Sequence, residues 1–266
     1  MTRAAPAPSF LFPPKRRINV RREIRKRSPS PIQPFINRLA LTPTTDAVGA
    51  AAARFHADYS LYLLALERTL RLAAVETAYR HGPHYSRKYH VKFTASEAKL
   101  ARRRALLARF GDLDFYSVIM FSRALLDDVA GLSASFLMRE RTTPSFRSFA
   151  RQKRFFLELS TGYGRHEGYA AYIRSRTDWF DVLKRVRDDF VVHPQASFLR
   201  FGLVGDKGRS DVGALFVPRK STVRPDGSLS EVGLTTVGLS DAIDTFLEWF
   251  GEYALTSIGE STPGVV

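Results

Sequence analysis

Apolar residues recur with a helical period over most of this chain and with a period of two over one stretch near its end. From about Ala50 to Tyr79, Phe55, Tyr59, Tyr62, Leu63, Leu66 and Leu70 fall at the spacing of one helix face. Ala, Leu and Glu fill much of the remainder, and all three favour helix. Gly82-Pro83 breaks this long segment. Thr94-Ala95-Ser96-Glu97 has the form of a capping box and predicts a second helix from there. Gly111-Asp112 resets the chain, and a third, strongly apolar helix is predicted over about Leu113–Met138. Two further helical stretches follow, near Phe146–Leu159 and Tyr169–Ile173. A last one before residue 194 carries Trp179, Phe180, Leu183, Val186 and Phe190 on one face and is stopped by Pro194.

After Pro194 the pattern alternates. Phe198–Val204, Gly213–Val217 and Leu229–Val237 read as short strands, with turn signals at Gly205-Asp206-Lys207-Gly208 and Pro225-Asp226-Gly227. Ser240 then reads as the N-cap of a closing helix, about Asp241–Leu255, with the stripe Ile243, Phe246, Leu247 and Phe250. The fold class expected is mainly α: a helical bundle with a long extra N-terminal helix and a small C-terminal β-hairpin or meander followed by a helix.

Charge changes this picture at the N-terminus. The 266 residues carry a formal net charge of +15, and residues 1–30 hold nine basic side chains against one acid, Glu23, so that +8 of the +15 lies there. Pro13-Pro14, Pro31, Pro34 and Pro43 punctuate the same region, and residues 1–48 are expected to form a disordered basic arm. A basic arm on a basic body attracts polyanions, with nucleic acid as the default partner. The chain has no cysteine, which excludes disulfides and thiolate chemistry and fits a reducing, cytoplasmic setting. No apolar run approaches the roughly 20 residues needed to span a bilayer, so no membrane association is expected.

Candidate chemistry centres on Lys184-Arg185-Val186-Arg187-Asp188-Asp189-Phe190-Val191-Val192-His193-Pro194. Arg187 falls inside the apolar arc of its helix, where a guanidinium is costly unless paired. It must therefore meet a carboxylate, a partner subunit or a ligand. An arginine holds a phosphodiester bidentately, and a nearby histidine moves protons near neutral pH. Arg187 and His193, with polar Asp188 between them, are thus candidates for metal-independent RNA cleavage through the ribose 2′-hydroxyl. Asp128 lies within the arc of Phe121, Ala124 and Leu132 on the third helix, while Asp127 faces outward; Asp128 is expected to contact Arg187 or Arg185 and orient the guanidinium.

Residues 81–92 form a basic, aromatic loop. Arg87, Lys88 and Lys92, with Arg102, Arg103 and Arg104 on the following helix, are the candidate nucleic-acid contacts, and Tyr85 and Tyr89 offer rings for base stacking. His81, His84 and His90 have loose ligand spacing but no acid close by, so no metal site and no cofactor are expected. His166-Glu167, in Gly162-Tyr163-Gly164-Arg165-His166-Glu167-Gly168, reads more simply as part of a helix–helix connection. No P-loop, dinucleotide fingerprint, His-Glu-x-x-His or serine elbow is present, so P-loop hydrolysis, redox and triad chemistry lack support.

A helical bundle ending in an inward Arg187, polar Asp188 and His193-Pro194 a turn and a half later resembles the HEPN superfamily over roughly residues 112–195. The resemblance implies an all-α bundle that dimerises, bringing two Arg/His motifs into one cleft, with ribonuclease activity of the toxin–antitoxin or phage-defence kind. Asp128 is then the acidic partner, and an antitoxin is a fitting acidic protein partner. Some members bind RNA or nucleotides without turnover, which leaves a binding or partner-docking role as the alternative. The organisation expected is a basic arm (1–48), N-terminal helices and a basic loop (49–110), a HEPN-like core (111–195), a β-rich appendage with a closing helix (196–258) and a tail (259–266).

Overall fold

The computed structural model describes residues 19–41, 44–80, 95–137, 146–159, 162–188, 198–206, 209–217 and 234–259. The protein is mainly helical. Its elements in order are α1 (Val20–Lys26), α2 (Gln33–Leu39), α3 (Asp46–Arg80), α4 (Ala95–Ala108), α5 (Gly111–Leu132), α6 (Ala134–Leu137), α7 (Phe149–Glu158), α8 (Glu167–Ser175) and α9 (Asp178–Arg187). They are followed by β1 (Phe198–Asp206), β2 (Arg209–Val217), β3 (Leu234–Thr235) and α10 (Thr236–Gly259). The chain divides into two compact units, residues 1–24, 64–119 and 182–240 in one and 25–63, 120–181 and 241–266 in the other.

The second of these units is a helical assembly with an aromatic core. The first half of α3 turns Val48, Ala51, Phe55, Tyr59 and Tyr62 inward at spacings of three and four. Phe136 of α6 meets Tyr169, Phe250 and Tyr253 with ring centroids 5.4–6.1 Å apart, and Phe149 of α7 meets Phe180 and Phe246 edge-on at 4.9 and 5.4 Å. Such tilted and edge-to-face pairs add to the burial energy of the rings. Ser133 breaks the helical path between α5 and α6. Its Oγ accepts from Gln152 Nε2 at 2.7 Å, and Gln152 Oε1 accepts from Tyr169 Oη at 3.0 Å. This buried chain of hydrogen bonds ties three elements together with its members satisfied.

The arm expected to be unstructured through residue 48 contains α1 and α2. Ile32, Phe35 and Leu39 are buried, and Phe35 packs edge-on against Phe250 at 5.6 Å. Spacings of three and four place these residues on one helix face, and Pro34 sits in the first turn, where a missing N–H is harmless. Prolines and arginines concealed that stripe in the sequence. Arg27 anchors the segment further, with Nε 2.7 Å from Asp244 and Nη2 3.2 Å from Asp241 on α10.

The first unit contains the second half of α3, α4, the start of α5, the end of α9 and the sheet. β1 and β2 form an antiparallel hairpin running from Phe198↔Val217 to Asp206↔Arg209, which leaves a two-residue connection, and β3 pairs with β2 through Leu215↔Thr235 and Phe216↔Leu234. Of the strand expected over Leu229–Val237, residues 229–233 lie outside the described residues, Leu234–Thr235 form β3, and Thr236 and Val237 already belong to α10. Ser240 does not cap that helix. It lies inside the first turns, where its hydroxyl donates to the Val237 carbonyl, while Thr235 Oγ1 accepts the Gly238 N–H at 3.0 Å and fills the capping role.

Candidate functional site

Helix α9 buries Phe180, Leu183 and Val186 and leaves Lys184 and Arg185 exposed. Its last residue is Arg187. Arg187 is not fully enclosed on the packing face: the chain continues into a wider helical turn at Asp188, and the Arg187 guanidinium is part-exposed at 27%. Its Nε donates to Asp188 Oδ1 at 2.8 Å, and Nη2 reaches the same oxygen. Asp188 itself is 37% exposed. An ion pair between adjacent, part-exposed residues contributes little to stability. It fixes a direction for the guanidinium while leaving it able to exchange the carboxylate for a phosphate. His193 lies outside the described residues.

Asp128 has a different partner from the one expected. It is buried on α5, and its Oδ1 accepts from Arg54 Nε of α3 at 2.9 Å, in place of Arg187 or Arg185. Arg54 and Asp58 lie one turn apart on α3, and both act electrostatically on the Asp128 carboxyl. Burial pushes the Asp128 carboxyl up to about 6, with Arg54 opposing and Asp58 adding to the rise. A helical wheel identifies an inward carboxylate but not the helix that will face it. Asp127, expected to face outward, accepts the Phe149 N–H at 2.8 Å and pairs with Arg123, so it helps to cap α7.

The arginines divide into two groups. Arg54, Arg68 and Arg104 have half-exposed side chains (60%, 46% and 39%) that reach down to nearly buried acids, Asp128, Asp114 and Glu76. Arg104 also lies over the Tyr79 ring at 4.6 Å, so this candidate nucleic-acid contact is engaged within the protein. Arg102 and Arg103 beside it are exposed. Arginines 147, 151 and 154 are likewise exposed, spaced four and three apart, while Phe149, Gln152, Lys153 and Phe156 of α7 face inward. This second arginine face was missed in the sequence. Its signal was the high amphipathicity of residues 149–158, a segment predicted only as a helical stretch. Arg87, Lys88 and Lys92, with His81, His84 and His90, lie outside the described residues.

No family model matches the chain, and no curated protein or solved structure is similar to it. Among the described residues no group of three or more His, Asp or Glu side chains is placed to hold a metal ion, and no helix is long and apolar enough to cross a membrane. The site's chemistry therefore rests on its own geometry: a part-exposed guanidinium at a helix end, steered by the next residue, on a chain with exposed arginine faces.

Proposed function

We propose that this protein binds RNA and cleaves it without a metal ion, acting as a HEPN-like homodimer with Arg187, Asp188 and His193 as its reacting groups. The observation that carries the reading is the Arg187–Asp188 contact at the end of α9: a guanidinium oriented but not buried, and not committed to Asp128. Asp188 takes the orienting role first expected of Asp128. Arg187 holds the non-bridging oxygens of the scissile phosphate. His193, six residues on, takes the proton from the ribose 2′-hydroxyl as that oxygen bonds to phosphorus. The P–O5′ bond breaks, and the departing oxygen takes a proton from the His193 imidazolium, which restores the neutral imidazole. The products are a 2′,3′-cyclic phosphate and a 5′-hydroxyl end, with no change in oxidation state.

Backbone affinity comes from the exposed arginines of α4 and α7 and from the chain's positive charge. It falls steeply with salt, because each neutralised phosphate releases counterions. Those same faces favour a second reading, an RNA-binding protein with no turnover, since they supply affinity without Arg187.

The test is cleavage of a mixed single-stranded and structured RNA pool in EDTA, comparing wild type with folded Arg187→Ala and His193→Ala. Cyclic-phosphate ends formed by wild type and lost in both variants support the nuclease reading. Binding without cleavage at every protein concentration overturns it in favour of the second.

A further inference from the structure

The structure contains a cleft that the Arg187 element does not use. It has a volume of about 360 Å³ and is lined by Arg165, His166, Trp249, Glu252, Tyr253 and Thr256 among others, within a single compact unit. That volume lies at the small end of the roughly 300–1,000 Å³ typical of small-molecule sites. Arg165 and His166 line the cleft's floor, directly after Gly164. The Gly164 φ of 52° is a left-handed conformation that favours glycine, and it lets the chain turn His166 inward at the start of α8. Glu167 then accepts the Tyr163 N–H and pairs with Arg174, which closes the turn and holds the Glu167 carboxyl below its ordinary range.

The floor's hydrogen bonds run in one direction. Arg165 Nε donates to His166 Nε2 at 3.1 Å, so the ring proton sits on Nδ1 and is donated to Tyr253 Oη, also at 3.1 Å. His166 is thereby a positioning residue for Tyr253. One wall is formed by Trp249 and Tyr253, whose rings stack at 5.4 Å and 29°, and Tyr172 backs Trp249 at 3.7 Å and 9°. Two opposite charges face the same space without being spent on each other. The Arg165 Nη groups and the Glu252 carboxylate have no partner among the described residues. A ligand that completes this cleft brings an anionic acceptor for Arg165, hydrogen-bond donors for Glu252 and a flat ring to extend the aromatic row.

We infer that this cleft binds a nucleoside 5′-monophosphate unit, with the phosphate on Arg165, the base against the Trp249–Tyr253 row and the ribose diol or base amine on Glu252. The inference rests on the RNA reading for its biological sense, because an unstacked nucleotide of a single strand has the same chemistry as a free mononucleotide. Stacking on such rings contributes about 1–3 kcal/mol per base and tolerates any base.

The experiment titrates the full chain carrying Trp179→Phe, which leaves Trp249 as the sole indole. Indole fluorescence is followed with each 5′-mononucleotide, inorganic phosphate, free phenylalanine and a short single-stranded RNA. Saturable quenching by mononucleotides is expected, weakened about tenfold or more by Glu252→Gln and by Arg165→Lys. It is unchanged by Arg187→Ala. Glu252 is exposed, so its replacement reports on the ligand and not on folding. Quenching by RNA as well as mononucleotides assigns the strand as the source, and quenching by mononucleotides alone assigns the free nucleotide; either supports the site. No saturable quenching by any nucleotide or RNA, an equal response to phosphate or phenylalanine, or indifference to both substitutions overturns it. The cleavage assay with Arg187→Ala is read separately, so failure of this cleft and failure of the nuclease reading are distinguishable.

Discussion

The chain contains two arginine–aspartate contacts that look interchangeable on paper and differ in physical kind. Arg54–Asp128 joins two helices whose positions are far apart in sequence, and its carboxylate is only 5% exposed. Arg187–Asp188 joins neighbours, and both side chains are part-exposed. In the first, burial sets the terms. A carboxylate removed from water needs its guanidinium, and losing that partner leaves an uncompensated acceptor. In the second, water competes freely, so the contact orients a side chain without stabilising the fold. Arg54 is itself 60% exposed, so it is the buried carboxylate that ties the first contact to the fold, whereas neither member of the second is buried.

The sharpest way to break this comparison is Arg187→Ala. RNA cleavage is expected to fall by about a hundredfold or more, as when a single charge-stabilising donor is removed, with an unchanged melting temperature. A parallel loss of Tm would assign Arg187 a structural role.

Arg54→Gln comes next and acts on stability. It should destabilise the protein by about 1–3 kcal/mol at pH 7.5, the usual cost of a buried acceptor left unsatisfied, and leave cleavage per folded molecule intact. The loss should shrink below pH 6, where Asp128 takes up a proton, and denaturant melts at pH 5 and 7.5 check it. A loss that does not depend on pH would show that Arg54 acts through packing.

A smaller effect distinguishes Asp128 itself. Burial raises its carboxyl to about 6 from an ordinary 3.8. Between about pH 4 and 6 the native state therefore binds more protons than the unfolded chain, and this group's contribution to stability falls as pH rises. Asp244, also raised to about 6 by burial, acts in the same direction. Asp128→Asn should flatten the Tm–pH profile over that window without abolishing it, leaving the part due to Asp244. An unaltered slope would remove Asp128 from the account. Least of all, Asp188→Asn should change stability by only about 0–0.5 kcal/mol while weakening cleavage through a less well-held Arg187. Its diagnostic is an altered rate at constant Tm.

Much of the fold was legible because its cause is local. The recurrence of Phe55, Tyr59, Tyr62, Leu66 and Leu70 specifies a helix wherever it sits, and α3 extends only a few residues beyond the expected ends. The alternation around residues 198–217 likewise specifies strands, and β1 and β2 pair there, with Gly205 and Asp206, expected in the turn, still in β1. Boundaries were less legible. Ser240 has the right side chain for a cap, but Thr235 stands where the chain enters α10 from β3, and that entry depends on the pairing of Leu234 and Thr235 with β2. The helices at Val20–Lys26 and Gln33–Leu39 were hidden for a related reason. Seven-residue helices are marginal alone, and what holds α2 is Phe35 against Phe250, a contact 215 positions away.

The sequence by itself determined the mainly helical class, the hairpin before a closing helix, the positive charge and the adjacency of Arg187 to Asp188. Each follows from backbone periodicity, turn chemistry, composition or a single peptide bond, and none requires knowledge of what lies across the core. Only the tertiary structure decided that Asp128 meets Arg54, that Arg104 is taken up by Glu76 and Tyr79, and that His166 joins Arg165 and Tyr253 in one cleft. Those contacts depend on which helix faces lie opposite one another. That choice is made by the burial energy of the whole core, and no local pattern carries it.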